Sequence, residues 1–385
     1  MKCLPYLESA PLRAHRKFQF MPNSLELLTA LCAAVVPSDL NAIAGARARL
    51  DRLTKPQGSL GQIEDLVARL AGATGQIIPP TDSPAIFLAA ADHGVAAEGV
   101  SAFPQAVTVQ MCLNYLAGGA AINALATAAG ARLLVVDAGI AGALPDDPRL
   151  RRLNLRRGGS GNIAREPAMS EAETVAALLG GAQLANELLD TGVNLIALGE
   201  MGIANTTPAA ALTSAFTGTP STVTVGRGTG VDDAGLARKI AVVEMALSRA
   251  QAAGTTSALQ TLAQLGGLEI ATLAGATLAA AARRVPVLLD GYITTAAALA
   301  AAALAPAARD YMLASHCSVE PGHALALEYL GLTVEAGAGP LLRLGLRLGE
   351  GSGAALALPL VLAAARLMRE MATFGEAGVA EQDAG

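Results

Sequence analysis

The chain has no tryptophan, and aromatic residues make up only 3% of its 385 residues. It also has no long basic run, and its formal net charge is −5. Few aromatics and no basic patch argue against a nucleic-acid groove, and the charge argues against an anionic membrane surface. Cysteine is scarce: Cys3, Cys32, Cys112 and Cys317 show no paired spacing, the pattern of reduced thiols in a cytoplasmic protein. The longest apolar runs are 270–282, 293–308 and 354–365. All fall short of the roughly 20 strongly apolar residues of a membrane span, so a soluble protein is expected. No Walker A pattern, no G-x-S-x-G elbow and no H-E-x-x-H occurs, which disfavours phosphoryl transfer, serine hydrolysis and zinc-protease chemistry. Residues 1–20 are basic but lack a signal-type apolar core, and Met21 is a candidate start.

What is present is alanine and glycine in long helical patterns, with apolar residues at 52%. The length suits one large domain or two. Five short apolar runs alternate with these helices: Ala85–Ala91, Leu133–Val136, Asn194–Leu198, Pro286–Leu289 and Tyr311–Ala314. Such alternation predicts βαβ units and a Rossmann-like, mostly parallel sheet. Each run ends in a polar group beside small residues, namely Asp92-His93, Asp137, Glu200-Met201-Gly202, Asp290 and Ser315-His316. Ligands of open α/β sheets bind outside the carboxyl ends of the strands, so five decorated ends argue for one shared site. The two chain ends are purely helical. The expected division is a small helical domain from residues 1–70 and 355–385, beside a large α/β catalytic domain over 71–354.

The stretch that draws these ends together is Leu341–Leu360, where Glu350 stands between Gly349 and Gly351 just before an apolar helix. A carboxylate flanked by glycines suits close approach of a ligand, although a solvated loop would read the same way locally. The turn VGRGTG (Val225–Gly230) does not meet the dinucleotide fingerprint. It reads either as a plain Gly-rich loop or as a phosphate cradle near a helix N-terminus, with Lys239 adding charge. His316, Glu320 and His323 have the residue types of a metal site, but Pro321 breaks their spacing and no metal is expected. Asp92 and His93 suggest an acid–base pair, against which stands ordinary strand-end hydrogen bonding.

Six segments taken together resemble the nicotinate-nucleotide–dimethylbenzimidazole phosphoribosyltransferase family of cobalamin lower-ligand assembly. They are TKPQGSLG, ADHGVAAEGVSAFPQAVT, GEMGIANTTPAAAL, LLDGYITTAAALAA, SHCSVEPGH and RLGEGSGAALALPL, in the family's order from about Leu53 to Phe374. The resemblance implies transfer of phosphoribose from nicotinate mononucleotide to 5,6-dimethylbenzimidazole without cofactor or metal. It implies Glu350 as the general base and Glu200 as a second catalytic acid. It places Phe103, Gln110 and Met111 beside the azole, and Gly202, Asn205, Gly226, Gly228, Gly230 and Lys239 around the nucleotide and its phosphate. Met201, Asp290, Ser315 and Gly349 complete the implied substrate pocket. It further implies a homodimer, and residues 1–20 have no counterpart in the pattern. Two other classes stay open on the residues alone: a nucleotide-dependent dehydrogenase, and a non-catalytic nucleotide- or azole-binding protein.

Overall fold

Pro37 splits the N-terminal helical pattern into α1 (Ser24–Ala33) and α2 (Leu40–Arg52), the second capped by the Asp39 side chain at Asn41 N and Ala42 N. The computed structural model describes residues 23–156 and 158–380, so the expectations for residues 1–20 lie outside the described residues. α3 (Gln62–Thr74) precedes β1 (Pro84–Ala91). α4 (Val107–Ala117) and α5 (Ala121–Ala128) are separate helices, because Gly118 at φ +80° ends the first. β2 (Arg132–Gly139) follows, then β3 (Leu150–Arg152), a polar edge strand that the apolar-run criterion passed over. α6 (Glu171–Leu189) starts in a Ser170–Glu173 capping box. Next come β4 (Leu195–Met201), α7 (Thr206–Thr217), the short α8 (Ser221–Thr224), α9 (Asp233–Ala252), α10 (Ala258–Leu265) and α11 (Leu268–Ala282). The chain closes with β5 (Val287–Leu289), α12 (Tyr292–Leu304), β6 (Met312–Ala314), α13 (Pro321–Tyr329), α14 (Ser352–Glu370) and α15 (Phe374–Ala377).

Among the described residues six strands form one sheet in the order β3-β2-β1-β4-β5-β6, and every pairing between them is parallel. The chain winds outward from β1 to one edge and from β4 to the other. The strand order therefore reverses between β1 and β4, which is where a doubly wound sheet opens a crevice. Ala89 of β1 sits opposite Glu200 of β4, so the two carboxyl ends lie side by side at that crevice.

Both faces of the sheet are covered, which is why the strands read as unbroken apolar runs. In β1, Ala85, Phe87, Ala89 and Ala91 face one core with α6, α11 and α12, while Ile86, Leu88 and Ala90 face another with α2, α3 and α14. The small residues have a packing role as well. A Cβ on Gly181 of α6 would fall 1.9 Å from the Thr272 carbonyl oxygen of α11, and one on Gly275 would fall 1.8 Å from that of Leu178. These helices touch backbone to backbone, so their crossing tolerates no side chain there.

The two chain ends meet: Thr54 N donates to Ala372 O, and Arg49 Nε donates to Met368 O. Among the described residues one helix, α14, could by length and composition cross a membrane, but more than half of it is buried inside the structure. It is a core helix.

Candidate functional site

Glu350 occupies the left-handed region at φ +63°, between Gly349 at +80° and Gly351 at +82°. Three successive left-handed residues are costly, and a non-glycine in the middle persists only where its surroundings hold it. Two contacts hold it here. The turn lies directly on β4, where a Cβ on Gly199 would come within 2.8 Å of the Glu350 carbonyl oxygen. Asp290, at the end of β5, accepts from Gly351 N at 3.1 Å and from Ala354 N at 3.0 Å. The N-cap of α14 is Gly351, which has no side chain to offer, so Asp290 supplies the cap from another strand. His316 Nε2 stands 3.7 Å from Asp290 Oδ1, and Ser315 Oγ donates to the Asp290 carbonyl at 3.2 Å.

Glu200 is buried and its Oε2 accepts from Asn205 Nδ2 at 2.5 Å. A Cβ on Gly349 would fall 2.3 Å from Glu200 Oε1, so a side chain there would push the Glu200 carboxylate aside, and its φ of +80° favours glycine. Burial raises the Glu200 pKa to about 8; the Asn205 hydrogen bond opposes this, and Asp290, Glu269 and Glu350 add to it. Burial also raises the Glu350 pKa, and Asp290 reinforces the rise. Asp290 is raised by burial against the pull of His316 and the α14 backbone donors. Carboxylates this close do not all ionise together, and at neutral pH Glu200 carries a proton.

This has a consequence for stability. The folded pKa of Glu200 lies above its ordinary value of 4.5, so the folded chain keeps a proton that the unfolded chain has lost. The stabilisation is complete below the unfolded pKa and is lost as pH rises through about 8. Glu200→Gln should flatten that fall in thermal midpoint between about pH 5 and pH 8, an effect on the order of a few kcal/mol. Parallel midpoint–pH curves for parent and variant would contradict the assignment.

The Gly-rich turn forms a second wall. Lys239 of α9 is fully buried, and its Nζ donates to Thr206 Oγ1 at 2.6 Å and Gly226 O at 3.1 Å. Burial lowers its pKa to about 8, with Glu320 opposing. Gly228 at φ +51° packs on this ammonium, where a Cβ would lie 2.9 Å from Nζ. Three backbone donors of the turn are already used: Gly228 N donates to Glu320 Oε1, Val225 N to Ser221 O and Gly230 N to Arg227 O, each at 2.9 Å. Gly230 ends the turn at φ +105°. Thr229 Oγ1 accepts from Ala102 N at 3.0 Å, tying the turn to the segment that carries Phe103. Phe103 and Gln110 are exposed, and Met111 is half-buried at the edge of the core. Thr108 Oγ1 accepts from Ile203 N, which joins α4 to the loop that follows Met201 at the end of β4 and begins with Gly202.

Glu200, Glu350, Asp290, Asn205, Ser315 and Gly349 thus converge above β4 and β5. Lys239 and residues 226–230 adjoin them through Thr206, next to Asn205, and Phe103 follows Ala102, which is tied to that turn. His316, Glu320 and His323 turn to separate partners. His323 bonds to Thr295 Oγ1 and Ser318 N, with its pKa lowered to about 3 by burial. Asp92 and His93 are not a pair either. Asp92 Oδ2 accepts from Ala141 N, whereas His93 bonds to Glu269 Oε1 at 2.7 Å and Ser160 Oγ at 3.1 Å. Sequence reasoning missed Glu269. A lone acid in the otherwise apolar 266–282 segment was the available signal. A cavity of about 470 Å³ among Asp137, Leu144, Arg152 and Arg156 lies at the ends of β2 and β3 and includes none of these groups.

A family model described as phosphoribosyltransferase matches residues 35–379. A nicotinate-nucleotide–dimethylbenzimidazole phosphoribosyltransferase of Chloroflexus aurantiacus is 52% identical over 358 residues, covering 93% of this chain and 100% of the relative. That of Chloroflexus aggregans is 53% identical over 93% of this chain and 99% of its own length. The crystal structure of CobT from Thermus thermophilus superposes with a TM-score of 0.84 at 48% identity, covering 89% of this chain and 100% of that one.

Proposed function

The chain belongs to the nicotinate-nucleotide–dimethylbenzimidazole phosphoribosyltransferase family, and from that premise we propose that it transfers phosphoribose from nicotinate mononucleotide to 5,6-dimethylbenzimidazole. The products are α-ribazole 5′-phosphate and nicotinate, in the lower-ligand branch of cobalamin synthesis. The observation that carries this reading is Glu350: a buried carboxylate locked in a left-handed turn, whose Oε2 has no protein hydrogen-bond partner. An uncommitted buried acceptor is costly unless something else uses it.

Glu350 takes the proton from the azole N–H, and the other ring nitrogen attacks the anomeric carbon. The bond to the pyridinium nitrogen breaks, its electron pair returns to the ring, and nicotinate departs as a neutral pyridine with inversion from β to α. The leaving group needs no acid, so one base suffices. Neutral Glu200, held by Asn205, supplies a polar contact without a second negative charge beside Glu350. Lys239 and the Gly226–Gly230 turn hold the phosphate, Gly202 and Asn205 the ribose side, and Phe103, Gln110, Met111 and Met201 the azole. Orientation of two flat rings about one carbon supplies much of the acceleration. The enzyme works in the cytoplasm as a homodimer, with the joined chain ends as its small helical domain.

The deciding experiment incubates the protein with nicotinate mononucleotide and dimethylbenzimidazole and follows nicotinate by chromatography. Azole-dependent release with formation of an α-nucleotide supports the reading; nucleotide binding without release replaces it with a binding protein. In the same assay Lys239→Ala should raise KM for the mononucleotide about tenfold or more, as expected for loss of a charge-assisted phosphate contact. An unchanged KM counts against the phosphate role.

A further inference from the structure

The chain between β6 and α13 packs against the Gly-rich turn. Glu320 is the N-cap residue of α13, but its side chain caps nothing in that helix. It is buried and reaches the turn instead, where Oε1 accepts from Gly228 N at 2.9 Å. Oε2 lies against Gly226, where a Cβ would fall 2.2 Å from it, and has no protein hydrogen-bond partner. Gly322 extends the contact. A Cβ there would fall 2.5 Å from the Thr224 carbonyl oxygen, which accepts from Tyr292 Oη at 2.9 Å. The segment is itself held, since Ser318 N donates to His323 Nδ1 at 2.9 Å and His323 N to Glu320 O at 3.0 Å. Burial keeps His323 neutral, with its pKa lowered to about 3, so Nδ1 remains an acceptor.

We propose that Glu320 is a positioning residue for the phosphate: by taking Gly228 N it fixes the turn in the shape that offers its remaining amides, with Lys239, to the nucleotide. This rests on the reading of Lys239 and residues 226–230 as the phosphate site. Gly226 N, Arg227 N and Thr229 N have no acceptor among the described residues, so three amides are left for a ligand. Residues 226–230 include three glycines, Gly226, Gly228 and Gly230, and such a chain has several low-energy shapes. A buried bond from Gly228 N to the start of a helix removes much of that freedom. Lys239 holds the same turn by a second bond, from Nζ to Gly226 O. A carboxylate serving stability alone would not have one oxygen buried and unpartnered, because that is costly.

The test compares two variants of the full chain. Glu320→Asp keeps the charge but is one methylene too short for Gly228 N, whereas Glu320→Gln keeps the reach and an acceptor oxygen. Both suit the start of α13, since Asp is a favoured N-cap residue and Gln preserves the shape. The quantities read are KM for nicotinate mononucleotide and the inhibition constant of inorganic phosphate against it. Assays at about pH 6.5, below the Lys239 pKa of about 8, keep the ammonium charged throughout. Glu320→Asp should raise both constants about tenfold, the effect of losing one hydrogen bond to a charged group, with kcat and KM for the azole unchanged. Glu320→Gln should stay within about threefold of the parent, because its bond to Gly228 N is only weakened. Parental constants in Glu320→Asp overturn the proposal. So does a Glu320→Gln as weak as Glu320→Asp, because charge rather than reach would then decide. A loss confined to kcat overturns it too, since a purely structural role would not single out phosphate. Constants below the parental ones would mean that the carboxylate competes with phosphate, which also overturns it. The two readings fail separately. An unchanged phosphate constant in Lys239→Ala removes the phosphate site, whereas a raised one beside an unmoved Glu320→Asp removes only Glu320.

Discussion

Glu350→Gln is expected to lower kcat by about 10²–10⁴-fold, the usual contribution of one positioned general base. The substitution is close to isosteric, and what holds the turn is elsewhere. Gly349 and Gly351 flank it, and Asp290 grips Gly351 N and Ala354 N rather than the Glu350 side chain. The fold and nucleotide binding should therefore survive, and KM for the mononucleotide should change little. A loss confined to kcat and kcat/KM marks an interaction made only in the transition state. The parent enzyme should also weaken as pH falls through the raised pKa of Glu350, because the protonated acid cannot accept the azole proton. That dependence should vanish in the residual activity of the variant. Near-parental turnover of Glu350→Gln would sink the base assignment.

The sheet was legible because its strands are buried on both faces. A run such as Ala85–Ala91 is apolar throughout, and the observed strand differs from it by one residue. β3 escaped because an edge strand of three residues, two of them arginine, leaves no apolar run. Gly118 and Gly119 were visible, yet the continuing apolar pattern on either side hid the break between α4 and α5. The carboxylates were legible as candidates because each closes a strand or sits between glycines. What each one does was not legible. Asp290 reads like a pocket acid, but both its oxygens are bound by a turn about 60 residues further on. Glu320 reads like part of a metal motif, but its carboxylate lies against Gly228 across 92 residues. Such roles are set by tertiary contacts that local spacing does not encode. Glu269 shows this most strongly. It is buried within α11, pairs with His93, and its charge is among those that raise the pKa of Glu200.

Asp290→Ala should be damaging in a different way from Glu350→Gln, and the contrast separates holding the base from being it. Alanine leaves Gly351 N and Ala354 N without their acceptor in a buried setting, at about 1–3 kcal/mol for each unsatisfied group. It also removes a negative charge from the N-terminus of α14, which the helix dipole favours. Against this, losing Asp290 relieves the repulsion that raises the pKa values of Glu200 and Glu350. The two unsatisfied donors outweigh that relief, because Glu200 already avoids most of it by keeping its proton. A net loss of roughly 2–4 kcal/mol is expected, read as a lower thermal midpoint. The kinetic effect should be larger than that loss implies. Without Asp290, only the contact with β4 is left to offset the strain of a non-glycine at φ +63°, and the turn relaxes. A displacement of about 1 Å at the base is enough to cost roughly 10²-fold in kcat. Asp290→Asn keeps one acceptor oxygen and should fall between parent and alanine variant in both measures. Assays well below the alanine variant's midpoint separate the effects. Parental kcat there would mean that the flanking glycines and the contact with β4 suffice to hold Glu350, and that Asp290 serves the fold but not the reaction.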